Sequence, residues 1–338
     1  MAKGSRSMKR IIQVGVGGMG NVWTERVAES NKWEAAAYVD SNEVNLLAAA
    51  DKHGMPNTRC FTDVMEAINE VEAEALLDVT PQQVRRSVCT TALDRGLHVL
   101  SEKPLADTLK NAKAIVDKAA KQERIYMVAQ NYRYQPQPQA ARKFIAEQKL
   151  GAVGYAAVQF FKGPRFGGFR EQMEFPLVLD MSIHHFDLMR CILDADVEFV
   201  SGVTMSAPWN WNKGDATAML QLEMSNGAVV NYTGSWVSTG WETPWNANWR
   251  FEGEKGVLLW ENDELWFSDK PDKRRKAPVA KMKQTHQAHL LDAFAKAIDT
   301  GEEPETSGRR NLNSLAATFA AVKAMQSKRR IRVSDLIK

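Results

Sequence analysis

The chain has 338 residues, 44% hydrophobic and 25% charged, a length and composition that suggest about two globular domains with sizeable cores. A net charge of only +3 gives no electrostatic case for nucleic acid or an anionic membrane as partner. No apolar run approaches the roughly 20 residues of a membrane span. The three cysteines, Cys60, Cys89 and Cys191, are odd in number and lack metal-ligand spacing, which points to buried free thiols in a reducing cytoplasm. The start, MAKGSRSMKR, is basic and then apolar, but glycines interrupt the apolar run at once and it serves better as a first strand. We read no targeting segment there. Residues 1–8 are expected to fray, with Met8 a plausible second start.

Residues 9–130 alternate strand and helix patterns. Strands fit Ile11–Val16, Ala35–Val39, Ala75–Val79, His98–Ser101 and Ile125–Val128. Helices fit Asn21–Ser30, Asn42–His53, Val64–Asn69, Gln83–Arg95 and Thr108–Gln122. Such alternation predicts a parallel sheet covered on both faces. Between the first strand and helix, Gly15, Gly17 and Gly20 have the spacing G-x-G-x-x-G, and Asp40 closes the second strand twenty residues on. That context predicts a dinucleotide-binding βαβ unit. Gly15 permits the tight turn, Gly17 lets backbone approach a pyrophosphate, and Gly20 lets the helix sit close to the sheet. Gly18 and Met19, at the helix N-terminus, join the expected phosphate contacts. Asp40 can accept both hydroxyls of an adenosine ribose. Ser41, Asn42 and Glu43 follow it, so a 2′-phosphate would meet negative charge, and NAD is favoured over NADP. Two strand-end turns, Asp78-Val79-Thr80-Pro81 and Ser101-Glu102-Lys103-Pro104, should face the nicotinamide half, because ligands of open α/β sheets bind beyond the strands' carboxyl ends.

The character changes after Tyr134. Pro136 and Pro138 break the pattern, and a helix is expected over Gln139–Gln148. Strands then dominate: Ala156–Phe161, Val197–Met205, Ala216–Glu223, Ala228–Ser235, Asn248–Glu252, Val257–Trp260 and Glu264–Phe267. A helix over Leu179–Leu193 interrupts them. Asp269–Lys283 reads as a solvated loop, and helices close the chain at His286–Thr300 and Leu312–Gln326. The fold class expected is α/β plus α+β. A Rossmann domain over 9–130 precedes a second domain over 131–338, built on a large, mostly antiparallel open sheet, with the final helices free to pack back on the first domain.

In the second domain, Asp180 and His184 stand at i and i+4, which would put both on one helix face. A histidine there can move a proton near neutral pH, and an aspartate can orient or charge-stabilise it. An ion pair on a helix surface would have the same spacing. His185 and Asp187 are adjacent rivals; His185 points about 100° away on a helix. The D-x-x-x-H pair lacks an evident third ligand, so we expect no metal. Lys103, at a strand end, can hydrogen-bond a substrate oxygen and favour negative charge on it. Arg165 and Arg170, in the stretch GPRFGGFR, could bind a carboxylate or several hydroxyls. Eight of the ten tryptophans fall between Trp209 and Trp266. Aromatic faces stack on sugars, but core or interface packing is the favoured use for most.

Together these features resemble the Gfo/Idh/MocA oxidoreductases, the family of glucose–fructose oxidoreductase and inositol dehydrogenase. The resemblance rests on the loop of residues 15–20, Thr80-Pro81, Glu102-Lys103-Pro104 and Asp180-Met181-Ser182-Ile183-His184, and covers essentially the whole chain. It implies Lys103, Asp180 and His184 as the catalytic set. It also implies cofactor contacts at Thr80, Pro81, Glu102, Lys103 and Gln130, and substrate contacts at Asn131, Tyr132 and His185 alongside the loop arginines. Members often carry glycine where Ser182 stands, a change expected to matter little, and many carry histidine where Arg85 stands. The implied activity is NAD-dependent hydride transfer at a secondary alcohol of a sugar, inositol or sugar derivative, by a homodimer or homotetramer. An NAD-retaining glycosidase and a non-catalytic dinucleotide sensor are the alternatives.

Overall fold

The computed structural model describes residues 8–337; apart from Met8, which is exposed, the segment expected to fray lies outside them. The chain divides into two compact units. The first comprises the described residues up to Asn131 together with Gln284–Leu312, and the second Tyr132–Lys283 with the residues from Asn313 onward.

The first unit holds β1 (Lys9–Val14), α1 (Gly18–Ala28), β2 (Trp33–Val39), α2 (Glu43–His53), β3 (Cys60–Phe61), α3 (Val64–Glu70), β4 (Ala75–Asp78), α4 (Gln82–Asp94), β5 (His98–Ser101), α5 (Leu109–Lys121) and β6 (Tyr126–Val128). The strands are all parallel, in the order β3-β2-β1-β4-β5-β6. This is the doubly wound order, whose reversal between β1 and β4 opens a crevice at the strands' carboxyl ends. Ile11, Ile12, Leu76, Leu77, Val99 and Leu100 are fully buried, as expected of strands covered on both faces. Asn42, Asp63 and Thr108 cap α2, α3 and α5 by accepting hydrogen bonds from first-turn N–H groups. The helix expected from Asn21 starts at Gly18 instead, inside the glycine loop. β3 has only two residues and no periodicity to announce it.

The second unit contains α6 (Pro136–Ala146), β7 (Val153–Phe161), α7 (Gly168–Glu171), α8 (Ile183–Leu193), β8 (Val197–Met205), β9 (Thr217–Met224), β10 (Val229–Ser235), β11 (Asn248–Gly253), β12 (Gly256–Glu261), β13 (Glu264–Ser268) and β14 (Arg275–Lys276). Pro136 starts α6 rather than breaking it, because a first-turn residue has no intrahelical N–H bond to lose. β14 corrects the reading of 269–283 as loop throughout. The region expected as one helix from Leu179 is a wide π-type turn, Leu177–Ser182, running into α8.

The chain then returns to the first unit through α9 (His286–Thr300). There Trp33 stacks on Phe294 with centroids 5.3 Å apart, and its indole N–H donates to Leu291 O at 2.9 Å. Val128 N–H donates to Thr306 O at 2.8 Å beside β6. In α10 (Gly308–Ser327), the residues up to Leu312 belong to the first unit and the rest to the second. Finally β15 (Ile331–Arg332) pairs with β8, completing a nine-stranded sheet in the order β14-β13-β12-β11-β7-β10-β9-β8-β15. All its pairs are antiparallel except β7 with β10. Along β9, buried Ala218, Leu220 and Leu222 alternate with outward Met219 and Gln221, so one face carries the core and the other lies open.

Candidate functional site

In the first unit the glycine loop is set by contacts that a side chain would break. Gly15 has φ +88°, and a Cβ there would lie 2.8 Å from Val79 O. A Cβ on Gly20 would lie 2.4 Å from Gly15 O, so α1 can approach the loop only with glycine at this place. Gln13, buried in β1, donates its amide to Gly15 O at 3.1 Å and Gly20 O at 2.9 Å. Sequence reading passed Gln13 over, because a polar residue inside an apolar strand carries no motif. Gly18 and Met19 are exposed at the start of α1, and a Cβ on Gly18 would meet nothing within 4 Å. The first turn of α1 bears no acidic residue. Its free N–H groups and positive dipole end therefore suit an anion.

Asp40 follows β2 with its carboxylate fixed: Oδ2 accepts from Val16 N–H and Oδ1 from Asn42 N–H, each at 2.9 Å. The Thr80 and Lys103 turns stand at the ends of the neighbouring β4 and β5. Glu102 accepts from the Trp23 indole at 2.8 Å through Oε1 and from Lys103 N–H at 3.0 Å through Oε2. Gln130, just past β6, is fully buried, and neither side-chain amide atom has a hydrogen-bond partner. A glycine cradle, a fixed carboxylate and an orphaned buried amide fit a dinucleotide.

In the second unit Tyr132 stacks on His184, centroids 4.2 Å apart and planes 17° from parallel. Burial, with Asp180 nearby, raises the Tyr132 phenol well above its usual range, so it stays neutral. The π-type turn thus brings Asp180 and His184 to the same tyrosine, although regular helical spacing does not apply across it. Arg170 donates Nε–H to Asp180 Oδ2 at 2.8 Å and lies over the rings of Phe166 and Phe169. Arg165 is exposed, its guanidinium 4.1 Å from the centroid of Trp211. Asn131 ends the first unit's main segment and is half-buried.

His185 requires a correction. It is fully buried, with Nε2 3.0 Å from Trp245 O and Nδ1 3.1 Å from the Tyr232 hydroxyl. A carbonyl only accepts, so Nε2 carries the proton and Nδ1 accepts from Tyr232. Tyr232 in turn accepts from Ser182 Oγ at 2.9 Å. No ring nitrogen of His185 is left for a substrate, and Ser182, expected to matter little, anchors this chain. Burial lowers the His185 pKa to about 4. An unfolded histidine titrates near 6.5. Between these values the unfolded state binds more protons, so stability falls as pH drops through the window, by up to about 3 kcal/mol. Denaturant midpoints from pH 7 to pH 4 should show this slope, and His185→Gln should flatten it; an unchanged slope would contradict the assignment.

Asp187 is structural: it takes two hydrogen bonds from Arg133, at 2.7 and 2.6 Å, and one from Ser314 at 3.0 Å. Trp236, Trp249 and Trp260 are buried, whereas Trp209, Trp241 and Trp245 are exposed, so the tryptophans divide between packing and surface. None of the three cysteines forms a disulfide among the described residues, and Cys60 is only half-buried. No metal-holding group of three or more His, Cys, Asp and Glu occurs among the described residues, and no helix among them is long and apolar enough to cross a membrane.

Residues 9–130 match the oxidoreductase family with an NAD-binding Rossmann fold, Gfo/Idh/MocA, and residues 139–259 match a C-terminal domain of the same family. The chain belongs to the Gfo/Idh/MocA oxidoreductase family. Among its Gfo/Idh/MocA relatives, 1,5-anhydro-D-fructose reductase of Ensifer adhaerens is 24% identical, over 94% of this chain and 96% of that one. Myo-inositol 2-dehydrogenase of Thermotoga maritima is 22% identical, over 97% and 99%. An oxidoreductase from Agrobacterium radiobacter, solved with NAD+, L-tartaric acid and magnesium, shares the fold with a TM-score of 0.88 at 20% identity, over 97% and 99% of the two chains.

Proposed function

We propose that this Gfo/Idh/MocA protein is an NAD-dependent dehydrogenase acting on a secondary alcohol of a sugar, inositol or sugar derivative. The observation that carries the reading is His184 lying on Tyr132 near Asp180, an acid–base group in the domain that accompanies the NAD-binding fold. The names of the relatives, a sugar reductase and an inositol dehydrogenase, support the substrate class.

The residues from Gly15 to Gly20 would hold the pyrophosphate, Asp40 the adenosine ribose, and Thr80, Pro81, Glu102 and Gln130 the nicotinamide half. A nicotinamide held there would supply the hydride acceptor in oxidation and the donor in reduction. His184 takes the substrate hydroxyl proton in oxidation and returns it in reduction. Lys103 donates to the substrate oxygen and favours the charge that develops on it. Asp180 stabilises the protonated imidazole, and Arg170 holds the Asp180 carboxylate in place. Asn131, Tyr132 and Arg165 contact the remaining hydroxyls. The open face of the nine-stranded sheet, with Tyr155, Val203 and Met219 exposed, is the surface for a homodimer or homotetramer; light scattering that gave a monomer mass would refute this.

Asp40 sets the cofactor preference. Wild-type protein should bind NAD+ more tightly than NADP+, because the Asp40 carboxylate repels a 2′-phosphate. Asp40→Ala should weaken NAD+ binding by about tenfold and narrow the preference, since a charge-assisted hydrogen bond contributes about 1.5–3 kcal/mol. Calorimetric titration of both cofactors tests this, and equal affinity of the wild type for both would refute it.

A further inference from the structure

Asp78, the last residue of β4, is fully buried, and a carboxylate there needs partners. Its Oδ1 accepts from the Thr80 N–H at 2.9 Å and the Thr80 hydroxyl at 2.6 Å. Its Oδ2 accepts from Arg85 Nε–H at 2.8 Å. Arg85, in the first turns of α4, is 2% exposed and spends its other two nitrogens on two separate turns. Nη2 donates to Thr80 O at 2.6 Å, and Nη1 donates to Pro104 O. The second turn is held from its other side as well: Glu102 N–H donates to Asp78 O at 2.8 Å, and the Glu102 carboxylate lies between Trp23 and the Lys103 N–H. The backbone is therefore tied on both sides of Lys103, and one guanidinium spans the Thr80-Pro81 and Lys103-Pro104 turns.

We propose that Arg85, seated on Asp78, is a positioning residue that fixes these two turns relative to each other and so sets the nicotinamide half of the cofactor site and the place of Lys103. Arginine donates here from three separate nitrogens of one rigid plane, whereas all the donors of lysine sit on a single nitrogen and cannot span the same three acceptors. The proposal rests on the reading of these turns as facing nicotinamide. A merely structural ion pair would act on the whole unit; a positioning residue acts on one half of the ligand.

Calorimetry on the full chain separates the two, using NAD+ and ADP-ribose, which lacks the nicotinamide. For Arg85→Lys we expect NAD+ to bind about tenfold more weakly, the loss of roughly one charged hydrogen bond, with the ADP-ribose affinity within about twofold of wild type. If Arg85→Lys shows no cooperative unfolding transition, Asp78→Asn, which keeps the shape of the site and removes the anchoring charge, is read by the same ratio. Equal weakening of both ligands, or no change in either, would overturn the positioning role while leaving the dinucleotide site standing. Failure of the wild type to bind NAD+ would overturn both.

Discussion

Lys103→Ala should lower kcat by about 10²- to 10³-fold, the usual cost of removing one donor from a developing oxyanion. NAD+ affinity should remain within about threefold, because the loop at Gly15–Gly20 and the Asp40 carboxylate, proposed above for the phosphate and ribose contacts, are held by their own backbone contacts and do not depend on the ammonium. The backbone of the turn should also survive. Glu102 N–H bonds Asp78 O and Arg85 bonds Pro104 O whatever side chain stands at 103. Steady-state kinetics beside calorimetric NAD+ titration tests this. Equal losses in turnover and in NAD+ affinity would mean that Lys103 serves binding rather than the chemical step.

His184→Asn should reduce kcat by about 10²- to 10⁴-fold, the range for a positioned acid–base group. The pH profile carries the sharper test. In the oxidation direction the imidazole must be neutral to accept the hydroxyl proton, so wild-type kcat/KM should show an acid limb. The variant should lose that limb, leaving a slow rate that does not respond to acid in the same interval. Persistence of the limb would assign it to another group. Tyr132 cannot supply it, since burial and Asp180 hold its phenol neutral through that interval.

The elements of the dinucleotide-binding fold were legible because their signals are local. The strand, glycine loop, helix and closing acid fall within thirty residues in a fixed order, and β5 and α9 lie where periodicity puts them. What escaped depends on distance or on brevity. Gln13 is an ordinary polar letter until folding brings Gly20 to it, and Arg85, noted in sequence only for standing where many members carry histidine, shows its partners only once folding brings Asp78 and Pro104 to it. Arg133 and Asp187 are 54 residues apart in sequence, so no spacing rule pairs them. The strands β3, β14 and β15 have two residues each, too few for any period. His185 looked like a rival of His184 because it is the adjacent histidine. Only the hydroxyl of Tyr232 and the carbonyl of Trp245 reveal that its ring is spent on packing. The π-type turn at Leu177–Ser182 was hidden because its residues are as apolar as the helix it enters.

The most direct test of the account is NADH formation, followed by absorbance, with NAD+ and NADP+ each offered alongside a panel of aldoses, inositols, glycosides and sugar acids. The account predicts turnover with NAD+ on one group of polyhydroxylated substrates, little with NADP+, and loss of the signal in Lys103→Ala. Silence across the panel by protein that still binds NAD+, or release of free sugar from glycosides without net NADH, would contradict it.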